Sequence, residues 1–316
     1  MILLYEIAPL LYAFPLVPVI LVLVAKRRRF RSKTTAYLFI LFGLTYFFAV
    51  YITFPPARFS IPLSYYYRIS LALLWPLLFI FSISSSWGKS EFDTGVRLSL
   101  WPDALFIFLI GYFSFIGTSS LVVPDKSEAI DIQFPLRDGS FFISCGGSSI
   151  FQNHHAMYGD SQSYGYDIMQ LNESKNSSIG FLSSKPSDYF IHSTDVYSPI
   201  DGAVISVVDS VGEGVPHNRD SQGGAGNYVL IKRDSISILL AHLLKGSIAA
   251  SVGQEVKAGQ FLGKVGLSGD ANEPHLHIHA YKGAPSEMIS GGIPVLILFE
   301  GDFLKRADVV QVVKHK

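Results

Sequence analysis

Four apolar runs of about twenty residues each crowd the first 123 residues, and they limit the fold more than any other feature of the chain. They cover roughly 1–25, 35–54, 67–86 and 102–123. A helix of that length is about 30 Å long, the thickness of a bilayer's hydrocarbon core. The spacing therefore predicts an N-terminal all-α bundle of four transmembrane spans within residues 1–124. Composition points the same way: 16% of residues are charged, against about 25% in ordinary soluble domains.

Charge placement predicts an orientation. Met1 is followed directly by apolar residues, and Lys26, Arg27, Arg28, Arg29, Arg31 and Lys33 come after the first run. A signal peptide has the reverse order. Lys89 and Arg97 follow the third run, whereas only Arg58 and Arg68 lie between the second and third. Positive loops favour the cytoplasm. The expectation is a multi-pass protein of the cytoplasmic membrane, with the lipid bilayer as a partner and the C-terminal domain on the periplasmic or extracellular side. Glu6 reads as a headgroup-level residue or as part of a path through the spans. The formal net charge of zero gives no support to a nucleic-acid partner.

The pattern changes near residue 125. Residues 125–145 read as a linker and first strand, 146–300 as a mainly-β domain and 301–316 as a tail. Short valine- and isoleucine-rich runs alternate with glycine turns, as in GAVISVVD, GNYVLIKRD, SISILLAHL and HLHIHAYKG. That is strand patterning. GQEVKAGQFLGKVG reads as a structural hairpin framed by glycine turns.

None of the nine histidines precedes the single cysteine, Cys145. One cysteine permits neither an internal disulfide nor a cysteine-rich zinc site. Side chains at alternate strand positions share a face. His275, His277 and His279 therefore point one way, and Leu276 and Ile278 the other. Imidazole is the commonest neutral metal ligand. Asp167 sits in SYGYDIMQL between Tyr166 and Ile168, where a carboxylate is costly unless paired or ligated. Asn153, His154 and His155 lie upstream. Two histidines, one aspartate and a water make a donor set suited to catalytic zinc. His242 in LLAHL could shuttle a proton or steady an oxyanion. His192 and His217 sit in polar loops and read as surface residues.

The order SPIDGAVISVVD, GNYVLI, LLAHL, VGQEVKAGQFLGKVGLSG and EPHLHIH resembles the M23 family of zinc peptidases, the lysostaphin-like endopeptidases. The resemblance covers about 146–281. It implies a lysostaphin-like β domain of the duplicated hybrid motif type, with a groove over one zinc ion. It assigns His155, Asp167 and His277 as zinc ligands, with a water in the remaining position. His242 and His275 become the catalytic histidines. The common spacing between the first two ligands is H-x-x-x-D, whereas His155 and Asp167 are twelve apart. Asn153 to His155 and Tyr166 to Asp167 match a branch that carries an insertion there. His154 competes with His155 for the first position, and His279 matches no family position. The implied activity is hydrolysis of peptide bonds in peptidoglycan stem peptides or cross-bridges. The alternatives are a non-catalytic module of the cell envelope and a peptidase acting on proteins or small peptides.

Overall fold

The structure is a computed structural model that describes residues 33–53, 76–81 and 100–119 in the first part of the chain, with positions 23, 74 and 83–84 beside them. From 121 to 313 it describes all residues but 151, 158, 181–182, 219–222 and 289–290. The chain divides into two compact units, one formed by Met1–Phe54 and Tyr67–Ser119, the other by Pro55–Tyr66 and Ser120–Lys316.

The first unit contains helices α1 (Lys33–Thr53) and α2 (Leu100–Ser119), which pack together. Gly43 lets the Phe79 ring approach the α1 backbone, and a Cβ there would stand 2.2 Å from Phe79 Cε1. Among the described residues, no helix is long and apolar enough to cross a membrane. This corrects the expectation of a four-span transmembrane bundle. The bilayer partner and the multi-pass membrane placement rested on those spans and fall with them. Run length misled because it counted polar side chains as apolar. Thr35, Thr45 and Thr53 lie in α1, and Asp103, Ser114, Thr118 and Ser119 in α2. The unbroken apolar stretch of α2 runs only from Ala104 to Phe113. The 1–25 run lies outside the described residues except at Leu23, and the 67–86 run is described only at 74, 76–81 and 83–84.

The second unit is built of strands. Its main sheet, nine strands among the described residues, has the order β13-β2-β3-β10-β7-β6-β5-β8, with β11 also paired to β10. The ranges are β2 (Gly139–Cys145), β3 (Tyr166–Leu171), β5 (Gly202–Val208), β6 (Tyr228–Arg233), β7 (Ile236–Ala241), β8 (Glu255–Val256), β10 (Leu276–Lys282), β11 (Ile293–Val295) and β13 (Val309–Val312). Strands β1 (Ile130–Ile132) and β12 (Ile297–Phe299) form a parallel pair, and β4 (Asp195–Tyr197) and β9 (Phe261–Lys264) an antiparallel one. The stretch read as a hairpin is not one. Its two strands pair elsewhere, β8 with β5 and β9 with β4. Within 301–316, read as a tail, β13 forms the edge of the main sheet on β2.

Alternation along the central strands sorts the two faces. Ile168, Val229, Ile231, Ile238, Leu240, Leu276 and Ile278 turn into the main core. Leu230, Leu239, Ala241 and Tyr281 form a smaller cluster on the other face. β10 lies between β3 and β7, so its outward residues are flanked on both sides. His277 stands opposite Asp167 on one neighbour and Ala241 on the other.

β7 ends at Ala241 because the chain turns sharply at His242, whose φ is +63°. The Ala225 carbonyl holds the turn by accepting the His242 N–H at 3.1 Å. Gly226 makes this packing possible. Its φ is +61°, and a Cβ there would lie 2.4 Å from the Ser268 carbonyl carbon. Gly226→Ala should therefore lose about 2 kcal/mol or more of stability in urea unfolding, through steric overlap and strained backbone together. An unchanged midpoint would show that the 226–268 contact is not tight in solution.

Candidate metal centre

Asp167 is the hub of the site. Its Oδ1 lies 2.9 Å from His277 Nδ1, 3.1 Å from His155 Nε2 and 3.5 Å from His275 Nε2. The hub follows from register: Asp167 and His277 are cross-strand partners in β3 and β10. Both are buried. Their neighbours Ile168, Leu276 and Ile278 anchor the same strands in the core.

His155 arrives on a single 3-10 turn, His154–Met157. Asn153, fully buried, sets that turn. Its side-chain nitrogen reaches the carbonyls of Gly147, Gly165 and Ser163 at 2.8, 3.0 and 3.2 Å. Its Oδ1 accepts the His155 N–H at 3.1 Å. The two adjacent histidines then diverge. His155 meets Asp167, whereas His154 Nδ1 lies 3.0 Å from Cys145 Sγ. Cys145, His154, His155 and Asp167 offer ligand atoms within 4.8 Å of one another. Sequence reasoning set Cys145 aside because a single cysteine rules out a cysteine-rich zinc site, which left His, Asp and Glu as the donors sought. Only the pairing of β2 with β3 brings it opposite Asp167.

His275 precedes β10, and its Nδ1–H donates to the Glu273 carbonyl at 2.7 Å. A carbonyl only accepts, so Nδ1 carries the proton and neutral His275 keeps a lone pair on Nε2, toward Asp167. His242 is held in the same manner, with Nδ1–H donating to the Ser268 carbonyl at 2.8 Å. Its ring lies 4.7 Å from that of His275 and 5.8 Å from that of His277. Leu243, the next residue, is in the core. The left-handed turn at His242 is what separates the two. His279 lies further along β10, with Nδ1 2.9 Å from His277 Nε2.

The loops around the site include residues read from sequence as plain surface. His217 Nε2 lies 3.0 Å from the Tyr189 hydroxyl, and its Nδ1 lies 3.5 Å from buried Glu273. His217 is thereby tied to the loop that carries His275. His192 pairs with Glu213 at 2.9 Å. Glu273 was missed as a site-shaping residue, although its place two residues before His275 was visible.

Burial works against ionisation of Asp167, but the charges of His155 and His275 and the hydrogen bond with His155 outweigh it. Its carboxyl is held well below the usual range. His277 is pushed down to about 4, chiefly by burial, against the pull of Asp167. Burial also pushes His242 and His279 down, with the neighbouring histidines adding to it. The site thus sets one carboxylate beside the rings of His242, His277 and His279, whose burial favours their neutral forms.

That chemistry fits zinc. With Zn–N and Zn–O bonds of about 2.0–2.1 Å, tetrahedral ligand atoms lie roughly 3.3 Å apart. The separations of Asp167 Oδ1 from His277 Nδ1 and His155 Nε2, 2.9 and 3.1 Å, are close to that. Three imidazole nitrogens crowd one carboxylate oxygen, which suits convergence on a cation better than hydrogen bonds to a single acceptor.

Comparison with known proteins adds a family likeness. Residues 187–288 match the family model for peptidase family M23. The matched segment contains His242, His275 and His277 and begins after His155 and Asp167. A putative peptidase M23 from Pseudomonas aeruginosa is 22% identical over 40% of this chain and 42% of that one, with a TM-score of 0.23. Csd3 of Helicobacter pylori is 22% identical over 52% of this chain and 32% of that one, at 0.29. The catalytic domain of the antimicrobial peptidase lysostaphin from Staphylococcus simulans is 19% identical over 39% of this chain and 78% of that one, at 0.25. The chain spans 42% of the first of these and 32% of the second.

Two predictions arise here. Removing the His242 side chain should cost less when glycine replaces it than when alanine does, by about 1 kcal/mol, because only glycine accepts φ +63° without strain. Equal urea midpoints for the two variants would count against the left-handed turn. The second concerns acid. The folded-state pKa values of His242, His277 and His279 lie below the ordinary histidine value of about 6.5. Their contribution is therefore complete above that value and is lost as pH falls toward about 4, the figure for His277. Asp167 adds a loss only below the ordinary carboxylate range. Calorimetry of chelator-treated protein should show a falling midpoint from pH 7 to 4.5, and a flat one would contradict neutral burial of these rings.

Proposed function

We propose that this chain is a zinc-dependent endopeptidase that hydrolyses peptide bonds in peptidoglycan stem peptides or cross-bridges. The observation that carries the reading is the convergence of His155, Asp167 and His277 at ligand spacing, with His242 and His275 beside them. The M23 match over residues 187–288 supports the reaction class. The substrate class follows from the family resemblance.

In this reading His155, Asp167 and His277 hold the metal. When bound, zinc supplies a Lewis acid and brings the pKa of water at its open position to about 7. His242 and His275 perform the proton work. Each donates Nδ1–H to a fixed backbone carbonyl, Ser268 or Glu273, which leaves Nε2 to take a proton from water or, once protonated, to give one. Burial favours neutral His242 at rest, so it can accept the proton released as water attacks. The protonated ring then steadies the developing oxyanion or passes the proton to the leaving amine. No glutamate adjoins a zinc histidine as in H-E-x-x-H, so among the side chains histidine is the candidate for the base.

The test is zinc content and hydrolysis measured on the same preparations. Wild-type protein should carry about one zinc per chain, and Asp167→Ala should carry none. His242→Ala and His275→Ala should keep zinc and lose roughly 10²–10⁴-fold in the rate of cleaving purified peptidoglycan fragments. A folded, zinc-supplemented wild type without metal would overturn the enzyme reading. Zinc binding with cleavage of other peptides alone would overturn the substrate class.

A further inference from the structure

His279 matches no position of the family pattern, yet it is among the most enclosed polar residues of those described, at 1% exposure. Its two ring nitrogens are both engaged. Nε2 lies 2.7 Å from the Met288 carbonyl, and Nδ1 lies 2.9 Å from His277 Nε2. The Met288 carbonyl also accepts from the Ser161 hydroxyl at 2.6 Å, which fills its two lone pairs with two donors.

With both rings neutral, these contacts fix the protons of His279 and His277. A carbonyl cannot donate, so His279 carries its proton on Nε2 and presents a bare Nδ1. That bare nitrogen can only accept, so His277 must carry its proton on Nε2. His277 Nδ1 is then a lone pair aimed at Asp167 Oδ1, 2.9 Å away. With the opposite tautomer, His277 would give a hydrogen bond to Asp167 and its Nδ1 would be closed to a metal. His279 would then set a bare nitrogen against the Met288 carbonyl.

We infer that His279 is a positioning residue: it relays the polarity of the Met288 carbonyl to His277 and holds that ligand in the tautomer whose Nδ1 can bind zinc. The inference rests on the reading of His277 as a ligand. Metal-bound imidazoles commonly give their second N–H to such a partner, and removing the partner typically weakens metal affinity by 10–100-fold. The packing leaves His277 little freedom to turn away. A Cβ on Gly165 would stand 2.9 Å from the Gln162 carbonyl oxygen and 3.2 Å from His277 Cε1, so glycine at 165 lets the backbone pack closely against the His277 ring.

The experiment compares full-length wild type, His279→Leu and His279→Gln. Leucine removes both the acceptor and the donor. Glutamine can offer its amide oxygen to His277 and its amide N–H to Met288, which preserves the polarity. Zinc affinity, measured by competition with a chromophoric chelator, should fall 10–100-fold in His279→Leu and stay within a few-fold of wild type in His279→Gln. In chelator-treated protein labelled with ¹⁵N-histidine, His277 should be the Nε2–H tautomer in wild type and His279→Gln, and should lose that preference in His279→Leu. Equal affinities in all three proteins would overturn the inference. So would equal losses in both variants with an unchanged tautomer, which would mark a purely structural role. If His279→Leu does not fold, the wild-type tautomer decides, and an Nδ1–H form of His277 refutes the relay. A wild type that binds no zinc would sink the peptidase reading, while the tautomer would still settle the relay.

Discussion

The pairing of Asp167 with His277 across β3 and β10 is the contact on which the site depends. A carboxylate and an imidazole face each other in the sheet with almost no water around them. Burying a charge in such a place is costly unless other groups compensate for it. Here His155 and His275 converge on the same oxygen, an arrangement that a bound cation would compensate. Each arrives on a non-strand segment pinned by backbone contacts: Asn153 holds the turn of His155, and the Glu273 carbonyl holds the ring of His275. The sheet supplies one rigid pair and the loops bring the remaining donors to it.

The division between sheet and loop bears on the chemistry. His277 and Asp167 cannot move apart without disturbing Leu276, Ile278 and Ile168 in the core. That rigidity suits metal ligands, which lose affinity quickly when misplaced. His242 and His275 lie just outside regular strands and keep one ring nitrogen on a backbone carbonyl. In the proposed mechanism these rings take up and release a proton, for which a fixed tautomer matters more than a fixed strand. The left-handed backbone at His242 is locally strained, and it turns the ring toward the site while Leu243 enters the core.

The histidine face of β10 was legible from the sequence because alternation in a strand is a local property. Leu276 and Ile278 pointed inward, and His277 and His279 outward, as period-two patterning requires. His275 was placed on that strand too, but β10 begins after it. His242 was read as part of its strand, and the turn that ends β7 at Ala241 left no local mark in LLAHL. Cys145 and Glu273 were missed because their relevance lies in what they stand beside. Helical runs in the first unit misled for a related reason: a count of apolar length took the hydroxyl-bearing positions of α1 and Asp103 of α2 as apolar.

The sequence by itself determined which side chains offer ligand and proton-transfer atoms, because donor type and strand alternation are written in the chain. It determined the β-rich character of the second unit, since valine- and isoleucine-rich runs between glycine turns have few other uses. Only the tertiary structure decided which donors meet. The choice between the adjacent His154 and His155 depends on where Asn153 fastens the turn. The tautomer of His277 depends on a carbonyl at Met288, reached through His279. Such outcomes are set by register and by loop anchors between segments distant along the chain, and local patterning carries no information about either.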